Sequence, residues 1–154
     1  FNTVRRVPYS PEQMFALVAD VEKYPQFLPM CEALNVRSRK ERDGVTVLVA
    51  DMSVGYKAIR ETFTSQVVLK PDDLLIDVKY LDGPFKYLRN LWTFAPAPGG
   101  GCDVGFDIDY EFKSRMLGAL MGGVFDRAFR MFASAFEKRA DEIYGRPAGA
   151  SKAV

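Results

Sequence analysis

Few side chains in this chain are able to do chemistry, and their spacing narrows the choice further. Histidine is absent, which removes the commonest general base, the commonest metal ligand and every triad built on imidazole. The two cysteines, Cys31 and Cys102, lie far apart and fit no metal or redox spacing, so they read as core or loop residues. Five charged residues fall within strand-like runs: Lys57, Arg60, Glu61, Asp77 and Lys79. Turned inward they could pair with one another or meet a polar group of a ligand, and a cyclising enzyme would need such groups buried around its substrate. A period of two puts Arg60 and Glu61 on opposite faces but does not say which faces in.

Charge is otherwise concentrated in Arg37-Ser38-Arg39-Lys40-Glu41-Arg42, a basic run ahead of Asp43-Gly44. At a hairpin tip this run is either simply solvated or a contact for anionic head groups or RNA phosphates, worth about 1 kcal/mol per basic residue at a lipid surface. Twenty-one basic residues against twenty acidic ones leave no bulk attraction to nucleic acid, and no DNA partner is expected. With neither a metal cluster nor a triad in view, the informative residues are apolar ones.

The element that organises them runs from Lys113 to Gly145. Leu117, Met121, Val124, Phe125, Ala128, Phe129, Phe132, Ala135, Phe136, Ala140 and Ile143 recur at spacings of three and four, the period of a half-buried helix. Ser114 suits its N-cap, and Gly145 followed by Pro147 suits its end. The nearly uncharged stretch Met116 to Phe125 is about half of the ~20 residues a bilayer span needs. Gly118, Gly122 and Gly123 lie in its first turns, either for tight packing, for close approach of a ligand, or to let that end shift.

Upstream, Thr3 to Val7 is β-prone. Ser10, Pro11 and Gln13 then form a helix start with a capping box, and Met14, Phe15, Val18 and Val21 give that helix one narrow apolar face to about Asp20. Tyr24 to Cys31 carries two prolines among aromatic and apolar residues, which suits a helical turn or ordered loop, serving as a lid that dips into lipid or as a packed connector. From Glu32 to Lys113 the pattern is a β-meander. Its breaks fall at Asp43-Gly44, Ser53-Val54-Gly55, Pro71-Asp72-Asp73, Asp82-Gly83-Pro84 and Ala95 to Gly101. Gly55 to Leu69 is long for one strand, which implies strong bending. The last strand alternates cleanly, with Val104, Phe106, Ile108, Tyr110 and Phe112 on one side.

Geometry then constrains the fold. Six or seven strands at ~4.8 Å make a sheet about 30 Å wide, whereas a helix is only ~10 Å across. The sheet must therefore curl around the terminal helix, giving one α+β domain over residues 1–145 and a disordered tail over 146–154. Between sheet and helix lies room rimmed by Phe63, Phe85, Trp92, Phe94, Phe106, Tyr110, Met121, Phe125 and Phe129. Periodicity leaves open whether side chains or a ligand fill it.

Val7-Pro8-Tyr9-Ser10-Pro11-Glu12-Gln13-Met14-Phe15, followed by Asp20 to Cys31, resembles the opening of the coenzyme Q-binding family of START-like proteins. Gly83-Pro84-Phe85 through Leu88, Trp92 and Phe94 agrees in order, as does Phe112-Lys113-Ser114 running into Ala135 to Ala140. The resemblance implies a helix-grip fold whose hydrophobic tunnel takes the polyprenyl tail of ubiquinone. It implies a carrier supporting respiratory electron transfer, with no catalysis and no cofactor beyond the bound quinone. Phe27, Leu28, Pro29, Phe85, Leu88 and Trp92 are carried over by motif. Phe63, Phe106, Tyr110, Met121, Phe125 and Phe129 extend the expected tunnel, and the inward strand charges would meet the quinone head. The same pattern is shared by bacterial ribosome-association toxins, which bind the large ribosomal subunit, and more distantly by polyketide aromatase/cyclases. No segment reads as a signal peptide or membrane anchor, which suits a bacterial cytoplasmic protein peripheral to the inner membrane. A processed protein of the mitochondrial inner membrane would look the same.

Overall fold

The computed structural model describes residues 1–145; the expected tail, 146–154, and Pro147 with it, lies outside the described residues. Strands β1 (Asn2–Val7), β2 (Cys31–Arg42), β3 (Val45–Tyr56), β4 (Ile59–Lys70), β5 (Leu75–Asp82), β6 (Phe85–Pro96) and β7 (Cys102–Phe112) form one antiparallel sheet in the order β1-β7-β6-β5-β4-β3-β2. Helix α1 (Pro11–Ala19) and a short 3-10 helix (Val21–Gln26) follow β1, and the long helix α2 (Arg115–Tyr144) closes the chain. The result is the helix-grip arrangement: a curved sheet around a C-terminal helix.

Local chemistry sets most of these boundaries. Ser10 Oγ accepts the Gln13 amide at 3.0 Å while Gln13 Oε1 accepts the Ser10 amide at 2.9 Å, so the capping box is complete. Asp43 and Gly44 both take positive φ (54° and 81°), as a two-residue hairpin turn between right-twisted strands requires. Ser114 accepts the Leu117 amide at 3.0 Å and starts α2. Gly145 does not end α2 in a left-handed cap, because its φ is −78°. Glycine is needed there for closeness instead, since a Cβ would fall 2.7 Å from the Tyr9 hydroxyl.

Two readings of the meander need correcting. No turn forms at Ser53-Val54-Gly55, and Gly55 to Leu69 is not one bent strand: β3 continues to Tyr56, Lys57 makes the turn at φ 56°, and β4 begins at Ile59. Val54 and Tyr56, both half-buried, keep the alternation that faces Met121, Val124 and Phe125 of α2, so burial carries the strand through the glycine. Gly55 lies where a Cβ would fall 2.8 Å from Arg60 Cδ and closer still to the Glu32 carboxylate. Its bare backbone gives room to the Arg60–Glu32 ion pair. Similarly, Ala95 and Pro96 belong to β6, Pro96 standing opposite Cys102, and only Ala97 to Gly101 form the loop.

The core lies between the concave sheet face and α2. Met121, Phe125, Ala128, Phe129, Phe132, Ala133, Phe136 and Ala140 form the buried stripe of α2. Its C-terminal half is clamped from several sides: Arg5 of β1 pairs with Glu137 at 2.9 Å, the Tyr144 hydroxyl donates to the Gln13 carbonyl, and Phe136 meets rings of the 3-10 helix and β6.

Candidate functional site

The rings expected to line a tunnel fill the space between sheet and helix themselves. Phe85, fully buried, packs against Phe63, Tyr80, Tyr110, Phe112 and Phe125 with centroids 5.0–5.7 Å apart. Phe129 meets Tyr110 at 5.0 Å and Phe125 at 5.8 Å. Trp92 packs on Phe106 at 4.6 Å and on Phe136 at 5.0 Å. Most of these contacts are edge-to-face, the arrangement favoured by the ring quadrupole at about 0.5–1.5 kcal/mol a pair. Leu88 and Met121 are likewise buried in this core, so an expected conduit is here a solid wedge of side chains.

Two gaps remain. One of about 70 Å³ lies under the 3-10 helix, away from the middle of α2, and is lined by Val21, Tyr24, Leu34, Ala50, Met52, Phe63, Ser65, Val67, Ile76, Val78 and Trp92. Of the twelve residues expected to bind a ligand, Phe63 and Trp92 alone reach it. The other, about 10 Å³, lies between Met30, Tyr56 and Ile59 on one side and Met121, Val124 and Phe125 on the other. A water needs roughly 10–15 Å³, whereas drug-sized ligand pockets run to about 300–1,000 Å³. The larger gap therefore has the volume of a few waters and not that of an isoprenoid chain.

Ser65 is the residue the sequence reading missed. Its Oγ is buried against the larger gap with no hydrogen-bond partner, and its inward aim follows from register, opposite Ala50 and Tyr80. The alternation Phe63, Ser65, Val67, Leu69 carries that signal, but in the sequence a single serine there is indistinguishable from Thr62 and Thr64 of the opposite face.

The remaining candidates sort by position. Leu28 is buried and Phe27 and Pro29 are half-buried, with Phe27 5.1 Å from the Phe136 ring and beneath the Arg139 guanidinium at 5.2 Å. Tyr24 to Cys31 is accordingly the packed connector, not an exposed lid. None of the five strand charges enters the interior gaps: Lys57 sits in the β3–β4 turn, Arg60 pairs with Glu32, Asp77 and Lys79 are exposed or outward, and half-buried Glu61 stands opposite Val54. In the basic run, Arg37 is held by Asp51 at 2.7 Å and Arg39 by Glu22 at 3.1 Å.

Electrostatics favour quiet side chains. Burial pushes the Cys31 and Cys102 thiols up to about 11, so neither is a thiolate at neutral pH. Burial also raises the Tyr24 phenol, whose hydroxyl donates to the Val18 carbonyl. Among the described residues no group of acidic, histidine or cysteine side chains could hold a metal ion, and no helix is long and apolar enough to cross a membrane.

Open grooves lie on the outside of α2. One of about 520 Å³ runs between Phe27 and Pro29 and the α2 residues Met131, Ala135, Lys138 and Arg139. Another of about 250 Å³ separates Met30 and Tyr56 from Leu120, Gly123, Val124 and Arg127.

Known proteins share this design. The chain is 37% identical over 139 residues to the ribosome association toxin RatA of Vibrio cholerae, covering 90% of this chain and 93% of that one. It is 36% identical to the mitochondrial coenzyme Q-binding protein COQ10 homolog B of Xenopus laevis, over 90% of this chain but 56% of the longer relative. A START superfamily protein of Mycobacterium smegmatis superposes with a TM-score of 0.75 at 20% identity, covering 93% and 97% of the two chains, a likeness of fold. The family model for polyketide cyclase / dehydrase and lipid transport matches residues 7–137, which takes in α1, the meander and the buried stripe of α2 as far as Phe136. With sheet, grip and sequence in agreement along that length, the chain belongs to the polyketide cyclase / dehydrase and lipid transport family.

Proposed function

We propose that this protein is a ribosome-association factor that binds the large ribosomal subunit through its surface, with no catalysis of its own and no resident cofactor. The observation that carries this reading is the 37% identity to RatA across nearly the full length of both chains. Packing supports it: the interior gaps of about 70 and 10 Å³ fall well short of a drug-sized site. With thiols held protonated and histidine absent, the side chains on hand suit binding more than bond making. The compartment is then one that holds ribosomes, the bacterial cytoplasm.

Sedimentation of the purified protein with isolated ribosomal subunits tests this. Pelleting with the large subunit, and fewer joined ribosomes as the protein is added, is the expected result. A protein that stays in the supernatant with both subunits sinks the reading.

Ubiquinone delivery is the second reading, favoured by the COQ10 homolog's 36% identity over 90% of this chain. It requires α2 to lift from the sheet, because the rings around Phe85 occupy the tail's path. Organic extraction of the purified protein followed by mass spectrometry decides it: quinone in near-equal amount to protein favours delivery, and none rejects it.

A further inference from the structure

The first three turns of α2 differ from the rest of the helix. From Met116 to Phe125 there is no charged residue, so the helix is apolar on all sides, a pattern that normally means complete burial. It is not completely buried. Met121 and Phe125 face the sheet, but Met116 is 72% exposed and Leu120 60% exposed on the opposite side, with exposed Ala119 and Gly123 beside them. Met116, Leu120, Gly123 and Arg127 follow spacings of four, three and four along one outer stripe. Beyond Arg127 the outer face becomes mixed: Met131 is 45% exposed, but Arg130, Ser134, Lys138 and Asp141 stand exposed around it.

Cations surround the apolar patch. Lys113 and Arg115 precede it in the chain, Arg127 follows it, and Lys57 of the β3–β4 turn lies against the ring of Tyr56, which with Met30 forms the facing wall of the groove. Among the described residues none of these four has a carboxylate at ion-pair distance. Nearby acids are already engaged: Asp126 holds Arg130 at 2.9 Å and Glu32 holds Arg60 at 2.9 Å. Packing gives no reason for the small residues either, because a Cβ added at Gly122 or Gly123 would meet nothing within 4 Å.

We propose that the first three turns of α2, together with the β3–β4 turn, dock on an anionic lipid bilayer. Met116 and Leu120 enter the boundary between head groups and acyl chains, where an apolar helix face sinks by roughly 5–10 Å, and the four cations meet lipid phosphates. Charge argues against a second copy of this chain, since two such rims repel. Chemistry argues against RNA, since the patch offers methionine and leucine where single-stranded RNA is usually gripped by exposed aromatic rings. The inference goes beyond ribosome binding and does not rest on it.

Co-sedimentation of the full chain with vesicles tests it, comparing phosphatidylcholine alone with an equal mixture of phosphatidylcholine and phosphatidylglycerol. The protein is expected to pellet with the mixed vesicles and to be released by salt. Arg115→Gln and Arg127→Gln should each weaken that partitioning about fivefold and leave the weak binding to neutral vesicles unchanged. Leu120→Asp should abolish vesicle binding while melting temperature and ribosome sedimentation stay as they were. Failure of the unaltered chain to bind mixed vesicles overturns the proposal, as does equal binding by Leu120→Asp. Loss of ribosome sedimentation in Leu120→Asp, with vesicle binding intact, assigns the patch to the ribosome, and conversion of a dimer to a monomer assigns it to self-association; either overturns the proposal.

Discussion

Phe85 touches five other rings and has no exposed surface. Truncating it leaves a hole that rigid neighbours cannot close, so Phe85→Ala should cost about 3–5 kcal/mol in urea unfolding. Ser65 behaves in the opposite way. Its hydroxyl is buried without a partner, and an unmet donor costs about 1–3 kcal/mol. Ser65→Val should thus raise stability by roughly 1 kcal/mol; a loss would mean that bound water already satisfies the hydroxyl.

Asp51 gives the pH signature. The Thr64 hydroxyl, and then Arg37, hold its carboxyl below the ordinary 3.8. The folded state thus prefers the deprotonated form. The resulting stability is present above 3.8 and disappears as pH falls through the depressed value. Unfolding free energies of the protein and of Thr64→Val should differ at neutral pH, and the Asp51 part of the gap should vanish in strong acid. A gap constant down to acid would show that Thr64 acts by packing alone.

At the scale of elements, α2 is two helices in one. The C-terminal half is fixed by Glu137, Tyr144 and Phe136 to four different elements, β1, α1, the 3-10 helix and β6. The N-terminal half rests on the sheet by one face and depends more on its own propensity. Ser114→Ala should remove the cap on the Leu117 amide and cost about 1 kcal/mol, with faster amide exchange confined to the first turns. Gly122→Ala, which adds a methyl where nothing stands within 4 Å, should stabilise by about 0.5–1 kcal/mol. If that substitution also slows vesicle docking, flexibility of this half is part of how it meets a bilayer.

At the scale of the whole molecule, the sheet encloses α2 so closely that the family's name for lipid transport and the packing of this chain pull in different directions. A quinone that bound the folded state would raise the melting temperature by mass action. Short-chain ubiquinone is expected to leave the melting curve in place, and an upward shift that grows with concentration would show that α2 lifts to admit it.

The sequence by itself determined the elements: the threefold and fourfold spacing of α2, the alternation of β7 and the capping box at Ser10 are set by local periodicity and short-range hydrogen bonds. Periodicity also made Phe85, Trp92 and Phe125 core residues, because burial needs only an apolar side chain on the right face. It could not place the turn after Tyr56, since Gly55 reads as a break until Glu32 and Arg60 meet over it from other strands. Nor could it say whether the enclosed volume was empty. That volume is a small difference between the curvature of seven strands and the summed size of the rings pointing inward, and both are fixed only when residues far apart in the chain come together. For the same reason only the tertiary structure shows Met116 and Leu120 uncovered: exposure is decided by which other elements reach them, and none among the described residues does.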